Sequence, residues 1–191
     1  MPTETLLQHF LMFVVVPVWL LAGLADYACH RSARIEETSG VLESLLHIFQ
    51  FIQVGLPLLA ALFLQINAGV LAIMFTGLVL HQATAIWDVR YANHMRKVPP
   101  VEQHLHGVLE MTPAIATAVV CILHWSQFLA LLGIGEATFA LELKRAPLPT
   151  WYLTAVMVGV AVGGVVPYGE ELMRTGRQAR FTRARRTAAG S

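Results

Sequence analysis

Charged side chains are scarce in this sequence of 191 residues. They make up 13% of the chain, whereas 56% of the residues are hydrophobic and the mean hydropathy is +0.61. An ordinary soluble domain carries roughly 25% charged residues. The composition therefore excludes a soluble globular domain and predicts an integral membrane protein.

Cysteine is almost absent as well. Cys29 and Cys121 lie in different apolar segments, where free cysteine usually serves as a small hydrophobic residue. A secreted domain stabilised by a disulfide framework is thereby excluded. The first five residues contain no Lys or Arg, so we expect the first apolar stretch to be retained rather than cleaved as a signal peptide.

Five apolar stretches are long enough to cross a bilayer, which takes about 20 helical residues. They cover residues 6–25, 45–64, 68–87, 109–125 and 150–168. The sequence therefore predicts an all-α, polytopic membrane helix bundle of about five transmembrane helices. We expect a membrane domain over residues 1–173, with an amphipathic outer-face segment at 126–149, and a basic tail over residues 174–191.

The distribution of Lys and Arg predicts the orientation. Eleven of the thirteen basic residues follow the first, third and fifth spans, and only Lys144 and Arg145 lie elsewhere. The positive-inside rule then places the N-terminus outside and the C-terminus in the cytoplasm.

Acid and histidine pairs recur at the ends of the first four spans. Three of them are spaced i, i+4, which places both side chains on one face of a helix, and the pair on the third span is seven residues apart. The pairs are Asp26 with His30, Glu43 with His47, His81 with Asp88, and Glu102 with His106. With the predicted topology, all four pairs lie at one depth near the cytoplasmic face.

Four helices that each offer an imidazole and a carboxylate to a common centre match the way in which helical bundles hold two metal ions. We therefore interpret these eight residues as metal ligands, with Glu36, His94 and His104 as further candidates. Glu110, one turn beyond His106, and Tyr91 are candidate catalytic residues. Mixed nitrogen and hard oxygen ligands favour iron, with zinc as the alternative.

A structural interpretation of the acids remains open. Glu43 and Glu102 lie in first helical turns, where a carboxylate stabilises the helix dipole without any metal. Asp26 and Asp88 lie near helix C-termini, where a negative charge is unfavourable. Those two positions require another explanation, and a metal site provides one.

Two short segments resemble the integral-membrane histidine-box di-iron proteins, the group of fatty acid hydroxylases, desaturases and alkane hydroxylases. They are Asp26-Tyr27-Ala28-Cys29-His30-Arg31, which follows an apolar span, and Glu102-Gln103-His104-Leu105-His106. The sequence has no His-x-x-His-His box, and acids stand where that group has more histidines. The resemblance implies a di-iron centre that uses dioxygen on a lipid-like substrate, here with a carboxylate-richer ligand set.

The leading hypothesis is a membrane-bound di-iron oxidoreductase that hydroxylates or desaturates a lipid or isoprenoid-like substrate. It requires a separate electron donor, such as a reductase or ferredoxin, because the sequence offers no electron-transfer domain. The alternatives are a zinc-dependent membrane lipid hydrolase similar to ceramidases, a b-type haem protein and another metal-binding membrane protein. The fifth span contains Gly159, Gly163 and Gly164, which suit close helix packing within the bundle or in a homo-oligomer.

Overall fold

Long helices dominate the computed structural model, which describes residues 1–189. Five of them are long and apolar enough to cross a membrane. They are α1 (Thr3–Ala33), α2 (Val41–Phe63), α3 (Ala68–Met95), α4 (Pro100–Leu123) and α6 (Thr150–Ala189), and a short helix, α5 (Trp125–Leu131), follows α4. The prediction of an all-α bundle with five spans is confirmed, and the chain has the architecture of a multi-pass membrane protein.

The distribution of polarity is the reverse of that in a soluble protein. Large apolar side chains such as Leu56, Val79 and Ile122 are exposed on the outside of the bundle, whereas many polar groups are buried within it. Helices satisfy their own backbone hydrogen bonds, so an apolar outer surface is compatible with lipid.

Short links at one end of the bundle fix how the helices follow one another. Arg34 has a left-handed conformation that ends α1, and Gly40, with φ 70°, precedes α2. Pro99 and Pro100 begin α4, where proline suits the first helical turn. Because these links are short, the end of α1, the start of α2, the end of α3 and the start of α4 meet at the same end, which we call the cluster end.

The opposite end is closed by the segment between α5 and α6. Its backbone pairs with the link between α2 and α3 through an isolated bridge of Leu64 with Leu143, and the Lys144 ammonium donates to the carbonyl of Leu64 at 2.8 Å. The Asn67 side chain caps α3 by accepting from the Val70 amide at 3.1 Å. The predicted amphipathic segment at 126–149 therefore comprises most of the short helix α5 and an irregular segment, residues 132–149, which we call the strap.

Two long helices each contain one turn of π-helix that ends two residues before a proline. Leu11–Val15 precedes Pro17 in α1, and Ala161–Val165 precedes Pro167 in α6. Proline lacks an amide donor and its ring crowds the carbonyl four residues earlier, and a wider turn accommodates both effects.

Glycines of α6 lie against other helices of the same chain. An ideal Cβ on Gly164 would come within 2.3 Å of the Phe51 ring on α2, and one on Gly159 within 2.8 Å of Leu20 on α1. Of the two roles expected for this glycine stripe, these contacts fit packing within the bundle.

Helix α6 continues well beyond the predicted fifth span, which ends at residue 168. The helix runs through the predicted tail boundary at residue 174 to Ala189, and Arg174 forms an ion pair with Glu36. Gly190 and Ser191 of the predicted tail lie outside the described residues.

Candidate metal centre

The cluster end gathers the four predicted acid and histidine pairs. Seven of these side chains are 0–5% exposed, and the His106 side chain is 11% exposed. We call this set the His/carboxylate cluster; its members are Asp26, His30, Glu43, His47, His81, Asp88, Glu102 and His106. A buried group of this composition could hold a metal ion.

One half of the cluster combines residues of α1 and α4. One ligand atom from each of Asp26, His30, Glu102 and His106 lies within 4.8 Å of all the others. The Nε2 atom of His30 is 3.4 Å from an Asp26 oxygen and 3.5 Å from Glu102 Oε1. The Nε2 atom of His106 is 3.2 Å from the other Asp26 oxygen.

The other half adds residues of α2 and α3. His30 of α1 forms a second group with Glu43 and His47 of α2, and the ligand atoms of this group are mutually within 4.8 Å. The Nε2 atom of His47 is 3.3 Å from Asp88 Oδ2 and 4.0 Å from Glu43 Oε1. The rings of His30 and His47 stack, with centroids 4.3 Å apart and planes 6° apart, and this stacking joins the two halves.

The nitrogen and oxygen atoms that face each other lie at ion-pair separations but lack the geometry of a hydrogen bond. Within the described residues, the buried atoms without a hydrogen-bond partner include Nε2 of His30, His47 and His106, both ring nitrogens of His81, and Oδ1 of Asp26 and Asp88. Buried polar atoms are nearly always satisfied, so such a concentration needs an explanation. Ligands bound to one ion at about 2.1 Å are themselves about 3.0–3.4 Å apart, which matches the shorter separations in the cluster.

Glu171 of α6 orients two of the histidines. It is fully buried, and its two carboxylate oxygens lie 3.0 Å from Nδ1 of His30 and 2.8 Å from Nδ1 of His47. A carboxylate that accepts the Nδ1 proton leaves the Nε2 lone pair free, which is the usual arrangement behind a metal-bound histidine. The free Nε2 atoms are those that face Asp26, Glu102 and Asp88.

Arg96 holds two of the carboxylates side by side. Its guanidinium, with only 4% of the side chain exposed, pairs with Glu43 Oε1 at 2.5 Å and with Glu102 Oε2 at 3.0 Å. Burial by itself lowers the pKa of the Arg96 guanidinium, but its hydrogen bonds to Glu102 and Glu43 outweigh burial and raise the pKa above its usual value. Arg96 therefore remains charged and partly compensates the acids.

A small polar cavity adjoins the cluster. Its lining includes cluster members from four helices, His81 among them, together with Trp19, Gln50, Glu110 and Tyr168. The Gln50 amide donates to Asp88 at 3.1 Å. The cavity places open space directly beside the unpartnered ring nitrogens of His81.

Glu110 connects this cavity to the surface of the bundle. It lines the polar cavity, and with His106 it also lines a groove between α3 and α4 that includes Asn93 and Gln103. The candidate catalytic residue Glu110 is therefore beside the cluster and on a polar route away from it.

Four other candidates lie outside the cluster. The Tyr91 hydroxyl donates to the carbonyl of Ser39 at 2.7 Å and so fixes the link before α2. Glu36 pairs with Arg174. His94 and His104 are exposed, and Nδ1 of His104 lies 2.8 Å from the carbonyl of Pro100.

Two supporting residues, Arg96 and Glu171, are missing from the site residues predicted from the sequence. Arg96 belongs to the eleven basic residues that predict orientation, and no role is predicted for Glu171. The depth argument that groups the first four spans also applies to the fifth, since Glu171 lies at its cytoplasmic end in the predicted topology. Extending the argument to that span identifies Glu171.

Comparison of the chain with protein-family models, with curated proteins and with solved structures found no match. The geometry and charge of the cluster itself are therefore the basis for assigning a function.

Proposed function

We propose that the His/carboxylate cluster binds two divalent metal ions, and charge balance is the observation that carries this proposal. Five acids at the centre are nearly or fully buried: Asp26, Glu43, Asp88, Glu102 and Glu171. Of the described residues, Arg96 supplies the one guanidinium paired with them. With neutral imidazoles, four negative charges remain, and burying them without compensation is prohibitively costly. Protonation of His30, His47 and His106 would supply three positive charges, whereas two divalent cations would supply all four and would also bind the unpartnered Nε2 atoms.

The two groups of ligand atoms suggest how the ions are shared. Asp26, Glu102 and His106 serve one ion, and Glu43, His47 and Asp88 serve the other, with His30 between them and His81 facing the cavity. Glu43 and Glu102 both contact the same nitrogen of Arg96. This contact keeps the two carboxylates adjacent, so that both would help to hold the ions.

Iron is the metal that best suits this ligand set. Imidazole and carboxylate ligands from several helices are typical of di-iron sites in helical bundles, and the absence of thiolate among the cluster ligands disfavours copper(I). The proposed activity is that of a di-iron oxidoreductase, which hydroxylates or desaturates a lipid-like substrate with dioxygen. The iron pair, when bound, would supply the dioxygen and electron chemistry.

The overall reaction balances with an external electron donor. Hydroxylation consumes one dioxygen, two electrons and two protons, replaces a C–H bond by C–OH and releases one water. Desaturation consumes the same reagents, removes two neighbouring hydrogens and releases two waters. A separate reductase or ferredoxin at the cytoplasmic face provides the electrons, in the orientation that the basic residues predict.

The chain's own residues have distinct tasks in this proposal. Glu171 holds the His30 and His47 rings by their Nδ1 atoms, and Arg96 holds Glu43 and Glu102. Glu110, which lies on both the cavity and the outer groove, transfers protons between the site and the aqueous side. The surrounding apolar helices exclude bulk water from the reacting centre.

Elemental analysis of the purified protein tests the metal centre. We expect about two irons per chain, together with a near-ultraviolet ligand-to-metal absorption band. One zinc per chain without such a band would overturn the di-iron proposal in favour of a hydrolase. Haem absorbance without non-haem iron would overturn it in favour of a b-type haem protein.

Comparison of lipid extracts tests the reaction. An aerated strain that carries His81→Ala should accumulate the same unmodified lipid as a deletion strain, with the variant protein still present in the membrane. His81 suits this test because it lines the cavity beside the cluster and its ring nitrogens have no side-chain hydrogen-bond partner within the described residues. Identical lipid and pigment profiles in wild-type and deletion strains would contradict an oxygenase.

A further inference from the structure

A second cavity lies further from the cluster end than the polar one. It is lined by residues of α1, α2, α3 and α4, and its exposed lining is almost entirely apolar. We call it the apolar chamber; its lining includes Trp19, Val54, Leu58, Ala61, Ala116 and Val120.

The few polar side chains of the chamber are largely occupied elsewhere. The hydroxyl of Thr112 donates to the carbonyl of Val108 at 2.6 Å, and that of Thr117 to the carbonyl of Pro113 at 2.8 Å. The Gln53 amide nitrogen donates to Thr84 at 3.0 Å, and Gln53 Oε1 is the one buried polar side-chain atom of the chamber's described lining without a hydrogen-bond partner. A cavity with such walls offers water few partners and is suited to an apolar ligand.

The chamber and the polar cavity share two lining residues, Trp19 and Val54. Trp19 is 9% exposed and stacks on Phe51, with ring centroids 6.2 Å apart and planes 8° apart. Trp19 and Val54 therefore form the partition between the polar cavity beside the cluster and the chamber. A ligand that occupies both cavities must pass Trp19 and Val54, and an unbranched chain has the smallest cross-section with which to do so.

The volume sets the length of chain that fits. The chamber measures about 110 Å³, and an apolar protein cavity of about 150 Å³ holds benzene, which has six carbons. By this comparison the chamber holds about four to five carbons.

We propose that the apolar chamber binds the methyl end of an unbranched acyl chain, whose polar headgroup remains at the membrane surface near the cluster. The chain then runs along the bundle axis, past the His/carboxylate cluster and the Trp19–Val54 partition. The carbons just outside the chamber are those presented to the cluster. This assignment of the substrate class rests on the proposed function, whereas binding of the chain in the chamber does not.

Photolabelling of the purified full-length protein tests the proposal. The probe is a palmitic acid analogue that carries a diazirine next to its methyl end, and adducts are mapped by peptide mass spectrometry. We expect adducts on chamber residues such as Leu58 and Val120. Ala116→Leu, which fills the chamber, should reduce them by about tenfold.

Ala118→Leu is the matched control, because Ala118 lies two residues further along α4 and is exposed on the outside of the bundle. It should leave chamber labelling unchanged. Ala61→Val fills the chamber from α2 and should reproduce the loss, which keeps the test valid where Ala116→Leu does not fold. Adducts confined to exposed residues such as Ile115 and Ile122 would overturn the proposal. It would also be overturned if a folded chamber-filling variant, Ala116→Leu or Ala61→Val, were labelled in the chamber as strongly as the control Ala118→Leu.

The chamber and the metal centre can fail separately. Labelling should persist in His47→Ala, since none of the chamber walls belongs to the cluster. Chamber labelling in a protein without bound iron would support acyl-chain binding in the chamber and refute the di-iron function. Bound iron without chamber labelling would refute acyl-chain binding in the chamber and leave the di-iron function standing.

Discussion

His104 and His106 are two residues apart on α4, yet their surroundings differ sharply. The His106 imidazole faces Asp26 and Glu102 inside the bundle, whereas His104 is exposed beside the carbonyl of Pro100. Helical geometry separates such neighbours by about 200°. Residue type and sequence position alone therefore do not identify a member of the cluster, whereas the i, i+4 partner Glu102 does.

This contrast leads to a prediction about metal binding. His106→Ala should reduce the iron content by at least about half, since it removes a ligand from one of the two proposed ions. His104→Ala should leave the iron content at the wild-type level. Elemental analysis of both purified variants checks this expectation, and equal iron loss in the two would contradict the proposed ligand set.

Glu171 and Glu170 provide a second comparison between adjacent residues. Glu171 contacts His30 and His47 in the interior, and Glu170 contacts Tyr27 and Arg31 at the surface. Loss of a carboxylate behind a metal-bound histidine typically weakens metal binding by about 10- to 100-fold. We expect that loss for Glu171→Ala, measured by titration with a chelator, and little change for Glu170→Ala; similar chelator resistance in both would show that Glu171 does not support the ligands.

At the scale of whole elements, the sequence is informative about spans and less so about their ends. Apolar length predicts five crossings because the bilayer core demands it, but α1, α3 and α6 extend well past the predicted limits. Beyond the core, polar residues continue a helix wherever tertiary contacts support it, as the Arg174 pair with Glu36 does for α6. The i, i+4 pairs are predictable because one helix fixes them, whereas the contacts of Arg96 and Glu171 depend on how separate helices meet.

The packing of α6 leads to a prediction of stability. Gly164→Ala places a Cβ within 2.3 Å of the Phe51 ring, and such overpacking costs about 1–3 kcal/mol. Gly169→Ala on the same helix meets no atom within 4 Å. Thermal unfolding in detergent should show a midpoint several degrees lower for Gly164→Ala alone, and an unchanged midpoint for that variant would contradict the tight contact between α2 and α6.

At the scale of the whole molecule, the bundle has two dissimilar ends. The cluster end carries the buried acids and histidines, and the opposite end carries the strap that pairs with the link before α3. Eleven basic residues flank the cluster end. The positive-inside rule therefore predicts that the cluster faces the cytoplasm, where reductants are available.

Reporter fusions check this orientation. A reporter fused after Ser191 should be active as a cytoplasmic reporter, and one inserted at Gln65 should report the outer side. The reverse pattern would place the cluster outside and would exclude a cytoplasmic electron donor.

The position of Glu171 along the chain also determines when the centre can be completed. The ribosome delivers α1 to α4, with their eight cluster residues, before the helix that carries Glu171. Until α6 inserts, the two stacked imidazoles have no common acceptor for their Nδ1 protons, and the rings are free to rotate. If the cluster binds metal as proposed, tight binding would therefore follow the insertion of the fifth long helix, and incompletely inserted chains would bind metal weakly.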